Sequence, residues 1–440
     1  MSSCAPRADA IDPLLRSWVE SACEPQSDFP IQNLAYGIRE GAVAVRIGEK
    51  YLRLKDALDA RAFSGGLTVA DWGSSLTSPS LNAFAALPAS VRSEVRQQLA
   101  AIFANGSAAR AKIEPLLCSV GASDRPEQLP FQVGDYSDFY ASLHHATNVG
   151  SMFRPTNPLL PNWKHVPIGY HGRASSLVPS RTAIVRPHGQ TVAHDDGPPS
   201  FGPSKLMDYE LEVGFFVGTE NALGSTIPVT QAWDHIFGFA LVNDWSARDI
   251  QKWEYQPLGP FLAKNFATTV SSWVVTREAL EPFRIAGPPR TAEDPKPLPY
   301  LDDPNGWNLD VTLEVLISSE KMRADGMVPS LISRGSLGDM FWTPAQMLAH
   351  HASNGCNMQV GDLLASGTVS GTTKESRGCL LERTWRGTEP LTLGDGTERR
   401  FLQDGDEVIM RGYCEKAGHP RIGFGECRGT VQPARGGSTR

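Results

Sequence analysis

Cysteine is scarce and without pattern. Cys4, Cys23, Cys118, Cys356, Cys379, Cys414 and Cys427 are scattered over 440 residues. Their number is odd and no Cys-x-x-Cys occurs, so neither a disulfide framework nor a thiolate zinc site is indicated. Reduced thiols in a cytoplasmic setting are the expectation. No run approaches 18 apolar residues, so no membrane-crossing helix is expected. The opening Met-Ser-Ser-Cys-Ala-Pro-Arg lacks the apolar core of a secretion signal. Basic charge is also lacking: 41 Lys and Arg face 48 Asp and Glu, a net charge of −7. No basic cluster is interleaved with aromatics, which argues against a nucleic-acid surface. Internal repeats are absent.

What is present fits a soluble globular chain of two or more domains, 41% hydrophobic and 20% charged. The 41 glycines and 33 prolines exceed the usual combined share of about 12%, as many turns between short strands require. Residues 1–27 read as an extension with a short helix from Ile11 to Cys23. Ala42–Gly48 and Tyr51–Leu54 read as a hairpin. Leu81, Phe84, Leu87, Val91, Val95, Leu99 and Phe103 recur at helical spacing over residues 80–105. A small first domain is expected over 28–127, its end marked by Ser123-Asp124-Arg125-Pro126. Short strands alternate with turns over 128–432. Residues 284–308 read as a Pro-rich surface loop and 433–440 as a frayed tail.

The candidate chemistry begins at Asp208-Tyr209-Glu210-Leu211-Glu212, a strand-like stretch with acids at alternate positions. Alternate side chains share a strand face, roughly 6.5–7 Å apart. Carboxylates held so close repel unless a proton or cation sits between them, and a hard divalent ion suits all-oxygen ligands; an edge strand with its acids in water is the plainer reading. Residues from Asp138 to about Asn148 read as a helix capped by Ser137 or Asp135 and ended by Gly150. There Asp138 and His145 would share a face about 10.5 Å apart, or serve as a dipole-complementing acid and an ordinary histidine. An apolar strand from His235 ends in Asp244. Ser246 and Asp249 resemble a capping box, and the helix that follows would place Arg248, Gln251 and Tyr255 on one face. Lys264 lies in apolar surroundings, either snorkelling or paired with acids. Gly361–Gly371 reads as a Gly/Ser-rich turn after a strand, and Glu382 as a further strand acid. No P-loop, nucleophile elbow or zinc helix is present.

Several blocks resemble the fumarylacetoacetate hydrolase family. They are Tyr136-Ser137-Asp138-Phe139-Tyr140, His145-Ala146-Thr147-Asn148-Val149-Gly150, Pro167-Ile168-Gly169-Tyr170-His171-Gly172-Arg173, Asp208–Glu212 and Asn243–Tyr255. The resemblance spans roughly residues 28–432 and is dense from 131. It implies a mainly β, mixed α/β fold: a small SH3-like β-barrel followed by a large mixed β-roll. It also implies a homodimer that hydrolyses a carbon–carbon bond of a diketo acid, giving fumarate and acetoacetate at the end of tyrosine and phenylalanine breakdown. By resemblance, calcium ligands fall on Asp138, Glu210, Glu212 and Asp244, and a magnesium site on Asp244, Lys264 and Thr268. His145 falls on the general base, Glu382 on the acid that orients it, and Arg248, Gln251 and Lys264 on the oxyanion donors. Tyr140, Arg154, Tyr170, Tyr255 and Thr368, with Arg248 and Gln251, fall on substrate contacts. Asp208 shares the acidic stretch without being a family ligand, so a supporting hydrogen bond is expected of it. The loop Thr372–Arg377 and Ala267 depart from the family pattern. A related acylpyruvate hydrolase or β-keto acid decarboxylase, and a calcium-binding structural protein, are the other readings.

Overall fold

The computed structural model describes residues 10–63, 69–121, 127–194, 197–287, 290–304 and 306–436. An eight-stranded, mostly antiparallel sheet is its centre. Its order is Gly169–His171, Tyr136–Phe139, Leu363–Ala365, Leu211–Val217, Ile236–Asp244, Thr268–Val270 and Leu177–Pro179, with Val275–Thr276 also paired to Ile236–Asp244. A second sheet runs Ser330–Ser336, Thr312–Ser318, Glu407–Lys416, His419–Gln432 and Thr182–Val185.

Strand alternation divides the core. Val213, Phe215, Phe239 and Leu241 point toward the second sheet and meet Leu313, Val315, Val408, Met410 and Phe424. Their neighbours Phe216, Ala240, Val242, Val270 and Leu363 point the other way. They meet apolar side chains of residues 11–131, including Leu34, Ile38, Phe84, Leu99 and Phe103. Both faces of the central sheet are therefore covered, which is why its strands read as near-continuous apolar runs.

The N-terminal segment holds a four-stranded sheet, Tyr36–Arg39, Ala42–Ile47, Lys50–Arg53 and Cys118–Ser119. The expected hairpin is there, with Ile47 opposite Lys50. The expected helix at 11–23 is only a 3-10 turn, Glu20–Cys23. The expected helix over 80–105 is two, Asn82–Ala85 and Ala89–Phe103. Pro88 divides them, because a residue before proline is driven out of helical backbone. The boundary marker at 123–126 lies outside the described residues. The stretch 284–308 is not wholly loop, since Arg284–Ala286 pairs with Trp307–Leu309.

Three further expectations are corrected near the site. Asp138 is not helical: Tyr136–Phe139 is a buried strand, parallel to Leu363–Ala365. Sheet pairing on both edges outweighs the local helical pattern. The helix begins at Leu143, capped by Ser142, whose Oγ accepts from the His145 N–H (3.3 Å), and it runs past Gly150 to Phe153. Ser246 caps nothing; it lies in the short strand Ser246–Ala247, and the next helix, Arg248–Glu254, has Ala247 at its N-cap. Glu382 stands in a one-turn helix, Leu380–Arg383, rather than a strand.

Candidate active site

The central sheet sets three acids on one face. Asp138 shares parity with Tyr136, Glu212 with Phe216, and Asp244 with Val242. Those apolar partners pack against the N-terminal segment, so the three acids occupy the end of the same face. One carboxylate oxygen from each of Asp138, Glu212 and Asp244 lies within 4.8 Å of the others, and all three residues are buried. Asp138 accepts from the Gly367 N–H (3.1 Å) and the Tyr170 hydroxyl (3.1 Å). Gly367, at φ +74°, brings that N–H in; a Cβ there would stand 2.0 Å from the Phe139 carbonyl. Asp244 accepts from Tyr170 (2.8 Å), Lys264 (2.7 Å) and Thr268 (3.1 Å). Both oxygens of Glu212 are buried without a donor. Burial first, then the Asp244 charge, pushes the Asp138 carboxyl far up. Burial, then the charges of Asp138 and Asp244, does the same to Glu212. Carboxylates crowded to a few ångströms, one of them without any donor, are what a hard divalent cation satisfies. The residues fit such an ion.

Glu210 stands apart from that trio. The expected common strand face breaks at Tyr209 and Glu210, between the short strand Met207–Asp208 and the strand Leu211–Val217. The Glu210 carboxylate pairs with Arg248 Nη1 (2.7 Å) and with Lys264. Burial opposes its charge, but Lys264 and Arg248 overcome that and hold the carboxyl well below its usual range. Lys264 is therefore a buried cation bridging Glu210 and Asp244, not a snorkelling surface lysine.

The imidazole–carboxylate pair is complete. His145 Nδ1 lies 2.7 Å from Glu382 Oε2, both residues buried. Asn148 donates to the other oxygen (2.8 Å), and Ser370 (2.8 Å) and the Cys379 thiol (3.1 Å) to Oε2. Burial alone would raise the Glu382 carboxyl, yet His145, Asn148 and the Cys379 thiol lower it to about 2. Asn148 was findable, being three residues past His145 on one helix face. Ser370 and Cys379 come from another loop and carried no local signal.

The remaining expected residues are placed as follows. Arg248 Nη1 donates to Gln251 (3.1 Å), so these two do share a direction, while Tyr255 stands just past the helix end. Tyr140 meets the His145 ring edge-on, centroids 5.4 Å apart. Arg154 ends the His145 helix and donates to the Pro158 carbonyl (2.9 Å). Arg248 Nη2, Arg154 Nε and the Thr368 hydroxyl are buried with no acceptor. Tyr170 is engaged with the acid trio. His144 is not part of the pair; its electrostatic partner is Asp339.

A family profile described as "Fumarylacetoacetate (FAA) hydrolase C-terminal" matches residues 136–432, and one described as "Fumarylacetoacetase N-terminal" matches residues 32–120. The chain belongs to the fumarylacetoacetate hydrolase family. Similar relatives in that family include the fumarylacetoacetase of Bos taurus, 48% identical over 93% of this chain and 97% of the relative. Those of Caenorhabditis elegans and Homo sapiens are 49% and 47% identical over the same shares. Among solved structures, an HpcE-type protein of Mycobacterium smegmatis covers 91% of this chain and 99% of its own, at 16% identity and a TM-score of 0.51. That likeness concerns the fold. No helix among the described residues is long and apolar enough to cross a membrane.

Proposed function

We propose that this chain is a metal-dependent hydrolase that splits fumarylacetoacetate, a carbon–carbon bond cleavage giving fumarate and acetoacetate. One observation carries the chemistry. A crowded buried acid trio in which Glu212 has no donor, an imidazole backed by an ionised carboxylate, and unpaired buried donors on Arg248, Arg154 and Thr368 stand in one buried region. The relatives' near full-length similarity supports the substrate. Ca²⁺ or Mg²⁺ would be held by Asp138, Glu212 and Asp244, with Glu210 beside them. When bound, the cation supplies the positive charge that makes an enolate a competent leaving group.

The residues supply the rest. Glu382 holds the His145 Nδ1 proton, which leaves Nε2 free to accept a proton from water. The hydroxide formed adds to a ketone carbon. Arg248, Gln251 and Lys264 serve the oxyanion, with Arg248 Nη2 as the donor that lacks any other acceptor. The carbon–carbon bond then breaks, its electron pair leaves on acetoacetate carbon, and His145 returns the proton there. Arg154, Tyr140, Tyr170, Tyr255 and Thr368 line the substrate; an arginine suits a terminal carboxylate. Lys264 and Thr268 reach the acid trio through Asp244. The Lys264 ammonium already sets a positive charge against Asp244, which favours a single cation over two.

The reading extends to organisation: an N-terminal domain over 28–127, a catalytic domain over 128–432, and a homodimer in the cytoplasm at the end of tyrosine breakdown. Exposed Trp253, Leu258, Phe261 and Leu262 support self-association.

The test is loss of the diketone near-ultraviolet absorbance of fumarylacetoacetate, before and after chelation. Metal-dependent loss by wild type and none by His145→Ala is the expected result. Failure of the metal-loaded wild type would discard the substrate.

A further inference from the structure

Asp208 belongs neither to the acid trio nor to the imidazole pair, yet it is fully buried and accepts from four donors. Its Oδ2 takes the Arg248 Nε–H (2.9 Å) and the Leu381 N–H (3.0 Å). Its Oδ1 takes the Leu380 N–H (2.8 Å) and the N–H of Tyr209 beside it (2.9 Å). Leu380 and Leu381 open the one-turn helix that carries Glu382. One carboxylate thus joins the oxyanion donor of one element to the acid of another. We infer that Asp208 is a positioning residue that holds Arg248 and the Glu382 helix in register for the hydrolysis proposed above, on which this inference rests.

The geometry says how. Asp208 on Nε, with Glu210 and Gln251 on Nη1, fixes the guanidinium along one side. Only Nη2 is left without an acceptor, so the plane can be aimed in one direction. At the other end, a one-turn helix cannot satisfy its own first N–H groups, and Asp208 satisfies two of them. The link is short because Asp208 pairs with Ser246, two residues before Arg248. Four donors need a carboxylate. An amide in its place turns one acceptor into a donor facing N–H groups.

The experiment is a double-mutant cycle of Asp208→Asn with Arg248→Gln, with kcat and KM measured on fumarylacetoacetate by diketone absorbance. Wild-type turnover, measured first, separates failure of the hydrolase reading from failure of this one. The expected result is a kcat loss of about tenfold to a hundredfold for Asp208→Asn, below the full loss of an oxyanion donor. KM should stay within about threefold of wild type. In the Arg248→Gln background the same change should cost less than it does in wild type, because the part exerted through Arg248 is already lost while the part exerted through the Glu382 helix remains. A merely structural role would change the amount of folded enzyme and leave kcat per folded molecule intact, and that outcome overturns the inference. So does an equal loss in both backgrounds. Should Asp208→Asn not fold, Asp208→Glu, which moves the charge by one methylene, goes through the same cycle; retained kcat in it is equally fatal.

Discussion

Glu382 shows at the scale of one residue what burial does once donors are supplied. Buried alone, a carboxyl would take up a proton; with His145, Asn148, Ser370 and Cys379 around it, its pKa falls to about 2. A depressed carboxyl contributes stability above its unfolded value near 4.5, and that contribution is lost as pH falls toward 2. Glu382→Gln should therefore be less stable than wild type at neutral pH. The gap should close between pH 4.5 and 2 in denaturant titrations; a gap independent of pH would contradict the assignment. Its kcat should fall by about 10²–10⁴ through loss of the imidazole's orientation. Glu212 is the opposite case, acceptors with no donor. Glu212→Gln should abolish Ca²⁺ binding by calorimetry, while the metal-free variant should be at least as stable as the metal-free wild type, since one buried acid is removed. Unchanged binding would move the ion elsewhere. The identities of these residues were legible from the resemblance, and the acid-on-alternate-positions pattern already pointed to a cation. That Glu210 would be held by two cations, apart from Glu212, was not. It depends on Arg248 and Lys264 arriving from later in the chain.

Elements were least legible where sheet pairing overrides local pattern. Tyr136–Phe139 looked helical because a true helix follows it and because acids and serines near Asp135 resemble caps. Its backbone pairs instead with Leu363–Ala365 and Gly169–His171, partners far away in sequence. Long apolar strands such as Ile236–Asp244 were readable, since every position along it is buried. The true cap, Ser142, serves the helix carrying His145, and its hydroxyl also donates to the Ser370 carbonyl (3.2 Å). Ser370 in turn binds Glu382, so the cap ties the base's helix to the acid's surroundings. Ser142→Ala should cost about 1 kcal/mol of unfolding free energy and should lower kcat as well. A normal midpoint in urea would show that the helix start does not depend on this cap, and a lowered midpoint with unchanged kcat would restrict Ser142 to stability.

At the scale of the whole molecule, the first hundred-odd residues are not an appendage. Their apolar side chains form one core with Phe216, Phe237, Val242, Val270 and Leu363 of the catalytic sheet. Tyr36 and Val274 exchange backbone hydrogen bonds (3.0 and 2.7 Å), and buried Asn33 donates to the Gly423 carbonyl (2.8 Å). The sequence showed a composition boundary near 123–126 and so two domains; it could not show that the boundary crosses a shared core, because alternation alone does not say what covers the second face of a strand. The acids lie at the end of that same face, where the N-terminal cover stops. Opening the cover would thus loosen the strands that carry Asp138, Glu212 and Asp244. Calorimetry should accordingly give one unfolding transition for the full chain, and added Ca²⁺ should raise its midpoint as a whole, since an ion bound only by the folded state stabilises everything that unfolds with its site. A chain starting at residue 128 should aggregate, because its bared sheet face would expose a large apolar patch. Two resolved transitions, with only the later one moved by the ion, would mean that the cover and the site unfold separately.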